Sequence, residues 1–149
     1  MRWTAVPPVP ASLSALADLR AALPAEPNAR TDCCALVLRA DADADVPDRE
    51  TAAEWLGFLR ALGLASEEGG TYARTDAPVD RESLAGAFVG SVYGAREVIE
   101  ALTDTPRSAE EVTSRVPARV GEKELVRRLL DWAVLVGLAE ARDAGYVRA

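Results

Sequence analysis

The sequence predicts a mainly α-helical chain with short β-hairpins, an α+β class, arranged as two similar modules in tandem. Three observations lead there. Apolar residues recur at helical spacing in several short stretches, each bounded by a proline, a glycine or a capping residue. Two of these stretches stop at a glycine, Gly63 and Gly137, and each is followed by two short extended runs around a tight turn. The two helix-glycine-hairpin units also overlay with a single offset of 74 residues. Gly63 then falls on Gly137, Leu64 on Leu138, Ala65 on Ala139, Tyr72 on Tyr146 and Arg74 on Arg148. Upstream, Phe58 falls on Trp132 and Leu56 on Leu130.

The totals fit this reading. A chain of 149 residues makes one domain, or two small ones sharing a core. At 49% hydrophobic residues it can bury that core, which argues against global disorder. No apolar run approaches the ~18 residues that span a membrane. The N-terminal stretch lacks the apolar centre of a signal peptide, so a cytoplasmic protein with no membrane partner is expected.

Residues 1–11 carry Pro7, Pro8 and Pro10 and are expected as an extended arm, with Trp3 placed to pack it down. The first module is expected over 12–76. Ser12 is an N-cap candidate for a helix lined by Leu13, Leu16, Leu19, Ala22 and Leu23, which Pro24 and Pro27 end. Thr31 or Asp32 can cap a second helix through Cys33, Ala35, Leu36, Val37 and Leu38. The run from Asp41 to Asp48 holds four acids and a proline and reads as an exposed loop. Asp48, or Thr51, caps a third helix whose apolar face is Ala52, Trp55, Leu56, Leu59 and Leu62, with Gly63 as its left-handed stop. Leu64–Glu67 and Thr71–Arg74 are the expected strands around Glu68, Gly69 and Gly70.

The second module is expected over 77–149. Ser83 is a cap candidate for an apolar stretch in which Gly86, Gly90 and Gly94 recur every four residues. Two readings stay open: close helix packing along that face, or a helix broken near Gly90–Gly94. Ser108 with Glu111 three residues on is a capping-box pattern for a short helix that Pro117 ends. Glu122 opens the last helix, whose apolar stripe is Leu125, Leu129, Trp132 and Val136. Gly137 stops it, and the closing hairpin follows.

On these residues the chain resembles the winged helix-turn-helix family. The segments that carry the resemblance are Ser108–Val116 for the second helix, Gly121–Gly137 for the third and Leu138–Ala149 for the wing. The first module fits less closely, because its acidic loop is longer than the tight turn of the family. The resemblance covers most of residues 12–149 and implies two winged-helix-like modules. It also implies one of two roles, since some family members contact DNA through the third helix and wing while others bind only proteins.

If DNA is the partner, the candidate contacts are Arg107, Arg115, Arg119, Lys123, Arg127 and Arg128, with Arg142 and Arg148 in the wing. Arginine can fork onto guanine or phosphate. Residues 105–128 hold six basic side chains against four acidic ones, a local excess of +2 in a chain of −7. A solvated, salt-bridged helix face is the competing reading, with Glu124 and Arg128 at i,i+4. Residues 41–54 run the other way, with six acids against Arg49, and would repel phosphate. The expected function is therefore DNA binding by the second module in transcription regulation. The alternative is a non-catalytic protein-interaction scaffold. Val134 and Leu135 make the end of the last helix apolar nearly all round, either for burial within its own module or as a homodimer surface.

The composition resembles that of proteins from salt-loving archaea: pI near 4.7, one lysine among seventeen basic residues, abundant alanine and no histidine. On that reading the acidity serves solubility in concentrated salt. Adjacent Cys33 and Cys34 do not suit a disulfide or a zinc site and read as small apolar residues, with a redox role kept open. The acidic loop lacks the glycine and distal glutamate of a calcium loop. No glycine-rich phosphate loop, nucleophile elbow or metal-ligand cluster is present, so no enzyme activity and no cofactor are expected.

Overall fold

The third helix of each module shows most plainly how the sequence dictates structure. Asp48 and Glu122 stand at equivalent positions, and both cap through their carboxylates. Asp48 accepts from the Thr51 amide at 2.8 Å. Glu122 accepts from Glu124 and Leu125 at 3.1 and 2.7 Å. Helices of 13 residues follow, α3 over Arg49–Ala61 and α7 over Lys123–Leu135. Gly63 and Gly137 then turn left-handed, with φ of +79° and +83°, as only glycine does without strain. The chain closes each helix by the same bond: Leu64 donates to the Leu59 carbonyl at 2.9 Å and Leu138 to Ala133 at 2.8 Å.

The structure, a computed structural model, describes residues 5–149. It forms two compact units, Met1–Asp80 and Arg81–Ala149. The first contains α1 (Leu13–Ala21), α2 (Cys33–Arg39), α3 and the antiparallel strands β1 (Ala65–Glu68) and β2 (Thr71–Arg74). The second contains α4 (Arg81–Ser91), α5 (Ala95–Glu100), α6 (Ala109–Arg115), α7 and the antiparallel strands β3 (Ala139–Arg142) and β4 (Gly145–Arg148). This is the mainly α architecture with small hairpins that the sequence predicts. Residues 5–10 hold no helix or strand, and Val6 is buried. Trp3 lies outside the described residues.

The first core gathers Leu16, Leu19, Val37, Trp55, Phe58, Leu59 and Leu64, all essentially inaccessible. The Trp55 and Phe58 rings meet edge-on at 6.4 Å, the arrangement that ring quadrupoles favour. The second core gathers Phe88, Val98, Val112, Val120, Leu129 and Trp132. Asp32 caps α2 through the Ala35 amide at 3.1 Å. The acids of the 41–48 loop are exposed, as their charge requires.

Several local expectations are corrected. Ser12 precedes α1, but its hydroxyl meets Ser14 and caps no amide. The helix expected from Ser83 starts two residues earlier, at Arg81. It does break: Gly94 has φ of +83°, and a side chain there would press on Val120 at 3.0 Å. Gly86 and Gly90 are exposed with no atom within 4 Å of a built Cβ, so the close-packing reading of that glycine series fails. The first hairpin starts one residue later than expected, because Leu64 belongs to the helix closure. Gly69 and Gly70 alone make its two-residue turn, with φ of +59° and +86°.

Both thiols are free. Cys33 is buried and donates to the Tyr72 carbonyl at 3.6 Å, while Cys34 is half-buried. Among the described residues no helix is long and apolar enough to cross a membrane, and no cluster of His, Cys, Asp or Glu could hold a metal ion.

Candidate nucleic-acid interface

In the second module the capping box forms as its sequence predicts. The Ser108 hydroxyl accepts from the Glu111 amide at 3.2 Å, and the Glu111 carboxylate accepts from the Ser108 amide at 3.4 Å. Helix α6 packs on α7, and Thr113 and Ser114 fold their hydroxyls back onto α6 carbonyls. Helix α7 buries Leu125, Val126, Leu129, Leu130, Trp132 and Ala133. The outward side of its first two turns is therefore Lys123, Glu124 and Arg127, with Arg128 half-buried beside them.

The wing has a third participant that the sequence reading missed. Arg107 bridges Tyr146 by two backbone bonds, Arg107 N to Tyr146 O at 3.0 Å and Tyr146 N to Arg107 O at 2.8 Å. Gly145 permits this approach, since a Cβ there would lie 2.4 Å from the Arg107 carbonyl oxygen. The Tyr146 hydroxyl donates to Asp131 at 3.1 Å and so ties the wing to α7. Burial and the Asp131 charge push that phenol above its ordinary pKa. At the position of Asp131 the first module has Gly57, which offers Tyr72 no such acceptor.

The eight candidate cations divide into three groups. Arg107 and Arg148 serve the scaffold: Arg107 donates to the Ala101 carbonyl at 2.5 Å and Arg148 to Ile99 at 2.9 Å. Both cover carbonyls at the end of α5, the helix end that favours cations. Arg119, Lys123, Arg128 and Arg142 lie in ion pairs with Glu97, Glu110, Glu124 and Glu140, at 3.3, 3.3, 3.4 and 2.9 Å. Arg119 also sits 5.9 Å over the Tyr93 ring. The side chains of Arg115 and Arg127 are exposed, with no side-chain hydrogen bond or ion pair among the described residues. The i,i+4 pair of Glu124 and Arg128 forms as the salt-bridged reading of this face required. Arg127, one position earlier, stands clear of it.

A signal for the scaffold arginines was available. Arg148 has a counterpart at offset 74, Arg74, and Arg74 also reaches back, to the Leu23 carbonyl at 2.5 Å. The same kind of bond, from a wing arginine to a backbone carbonyl, thus recurs in both copies. Arg127 has Ala53 at its counterpart, and Arg128 has Glu54. At these two positions the copies differ.

A helix pair, an outward third helix and a hairpin wing define the winged helix-turn-helix class, and the chain carries this unit twice. A family model described as the halobacterial double winged helix domain matches residues 1–149, and the chain belongs to that family. The acidic, lysine-poor composition accords with that description. No curated protein and no solved structure matches the chain.

Proposed function

We propose that the protein binds double-stranded DNA through its second module and acts in the cytoplasm as a transcription regulator. In this reading α7 enters the major groove and the β3–β4 wing meets the sugar-phosphate backbone. One observation carries it: Arg115 and Arg127 are exposed and unpaired in the module whose sister has Ala53 at the position of Arg127. Lys123, Arg128 and Arg142 are available as well. Their surface ion pairs are weakly held, because water and salt screen them, and a phosphate can replace the carboxylate partner. Residues 81–149 hold ten basic and eleven acidic side chains, against seven and thirteen in residues 1–80, so only the second unit is near neutrality.

The test is a fluorescence titration of labelled duplex DNA at several salt concentrations. Binding should weaken steeply with salt, and the Arg115→Ala, Arg127→Ala double variant should lower the slope of log K against log salt by roughly 2, about 0.9 for each phosphate contact. No binding at any salt would sink the proposal.

A second reading rests on the first module. Its α3 presents Ala53, Gly57 and Ala61 on the less buried side, small residues that let another chain approach closely, beside the acidic 41–48 loop. A protein partner suits that surface better than DNA does. A stoichiometric co-purifying protein with no DNA affinity would favour it. A homodimer through the half-buried Val134 and Leu135 is a separate question, which light scattering decides.

A further inference from the structure

The outer edge of the wing is closed in the second module and open in the first. In the second, Arg148 donates to the Thr103 carbonyl at 3.0 Å, and further along Arg107 returns to the edge and exchanges two backbone bonds with Tyr146. In the first, the edge begins the same way, with Arg74 donating to the Pro24 carbonyl at 2.9 Å. The chain then turns off. Thr31 donates to the Asn28 carbonyl at 2.9 Å, and the Arg30 amide to the Asn28 side chain at 2.9 Å. Thr31 precedes the cap Asp32 as Arg107 precedes the cap Ser108, so the residue placed to close the edge gives its amide to that turn instead.

Tyr72 is left on an unfilled edge. It opposes Glu67 as Tyr146 opposes Ala141, one pair in from the turn. Bonded and non-bonded pairs alternate along an antiparallel ladder, so the backbone N–H and C=O of both tyrosines point away from the first strand of their hairpin. Among the described residues the Tyr72 carbonyl accepts only from the Cys33 thiol, a weak donor, at 3.6 Å, and the Tyr72 N–H has no hydrogen-bond partner. A cleft of about 230 Å³ opens at this place, lined by Thr31, Cys34, Ala53, Leu56 and Gly70 beside Tyr72. A Cβ built on Gly70 meets no atom within 4 Å, so there is room along the edge. The cleft is smaller than the ~300–1,000 Å³ of small-molecule pockets, and a strip of chain fits it better.

We propose that this edge binds an extended, basic peptide segment of a partner protein, added to β2 as a third strand. The peptide residue opposite Tyr72 gives its N–H to the Tyr72 carbonyl and accepts from the Tyr72 N–H, as Arg107 does with Tyr146. Small apolar side chains of the peptide cover Ala53 and Leu56. An unpaired strand edge is a template for another chain, and backbone bonds supply the affinity of such strand addition. Charge selects the peptide. Residues 24–74, which carry the cleft, hold ten acids against five arginines. Three of the five are engaged: Arg49 with Asp32 at 3.0 Å, Arg74 with the Leu23 carbonyl and Arg39 with the Ala35 carbonyl. Glu67 and Glu68 lie on the hairpin itself. A second copy is a poor occupant, since it carries the same acid excess. Antiparallel pairing of two β2 edges at Tyr72 would also set the other hairpin's tip against Arg74, where Pro24 already holds the edge. The inference concerns the module that the DNA reading leaves out, so its outcome is independent of that reading.

The probe is the capped heptapeptide acetyl-Arg-Thr-Val-Ala-Val-Thr-Arg-amide, titrated into the full chain at constant ionic strength while backbone amide NMR shifts are followed. It should give saturable shifts centred on Gly70, Thr71 and Tyr72, with the Tyr72 amide proton moving downfield as it gains a bond. The same peptide N-methylated at its three central residues, and a version with glutamate at both ends, should bind at least about tenfold more weakly, equivalent to ~1.4 kcal/mol. Ala53→Arg places at this exposed position of α3 the residue type that the second module has there. It should weaken binding by a similar factor and keep the wild-type melting temperature. Absence of saturable shifts, shifts centred elsewhere, or equal affinity for the N-methylated peptide, the glutamate peptide or the Ala53→Arg variant would overturn the proposal. So would a dimer by light scattering in which the Tyr72 amide is already protected, because a second copy would then hold the edge.

Discussion

Single atoms decide the geometry at a few residues. Gly145 has φ of +135°, and a Cβ there would lie 2.4 Å from the Arg107 carbonyl oxygen. Gly145→Ala should therefore break the Arg107–Tyr146 bridge and destabilise the protein by ~2 kcal/mol or more, read by thermal unfolding. Gly86 is the opposite case, a helical glycine with open space around it. Gly86→Ala should stabilise by about 0.4–1 kcal/mol. Unchanged stability in both variants would contradict the glycine assignments. Asp48 adds a pH dependence. The backbone bond from Thr51 holds its carboxyl below the usual carboxylate range. A depressed folded-state pKa gives stability that is full above the unfolded pKa and is lost as pH falls through the folded one. Asp48→Ala should thus melt below the wild type at neutral pH, and the gap should close as pH falls below about 4. An equal gap at pH 7 and pH 3 would rule out the cap as its source.

At the scale of elements, the two copies share their inward faces and differ in their outward ones. Phe58 and Trp132 are both fully buried at equivalent positions, and either changed to alanine should cost ~3–5 kcal/mol. Arg127→Ala, on the outward side, should change stability by less than ~0.5 kcal/mol while reducing DNA affinity. A large stability loss there would place Arg127 in the scaffold. The third helices and hairpins were legible in the sequence because their determinants are local: a capping carboxylate, an apolar stripe and a glycine that must turn left-handed. The offset of 74 carried those determinants from one copy to the other. What was not legible depends on contacts between distant segments. The Arg107 bridge joins residues 39 apart, and nothing near Arg107 announces a strand. Arg148 looked like a wing contact because its carbonyl partner, Ile99, is 49 residues away. The glycine series from Gly86 suggested packing by spacing alone, and spacing does not say whether a neighbour is there.

For the whole molecule, charge separates the copies more than fold does. Of the net −7, residues 1–80 carry −6 and residues 81–149 carry −1. On the proposed reading a polyanion would be repelled by the first unit and would meet the second near neutrality, where Arg115 and Arg127 are exposed on α6 and α7. Amide hydrogen exchange with and without a saturating DNA duplex tests whether the two equal scaffolds are used unequally. Added protection is expected in peptides covering Lys123–Leu135 and Ala139–Arg148, with Arg49–Ala61 and Ala65–Arg74 unchanged. Protection confined to the first unit's third helix and hairpin, or none in either, would contradict it.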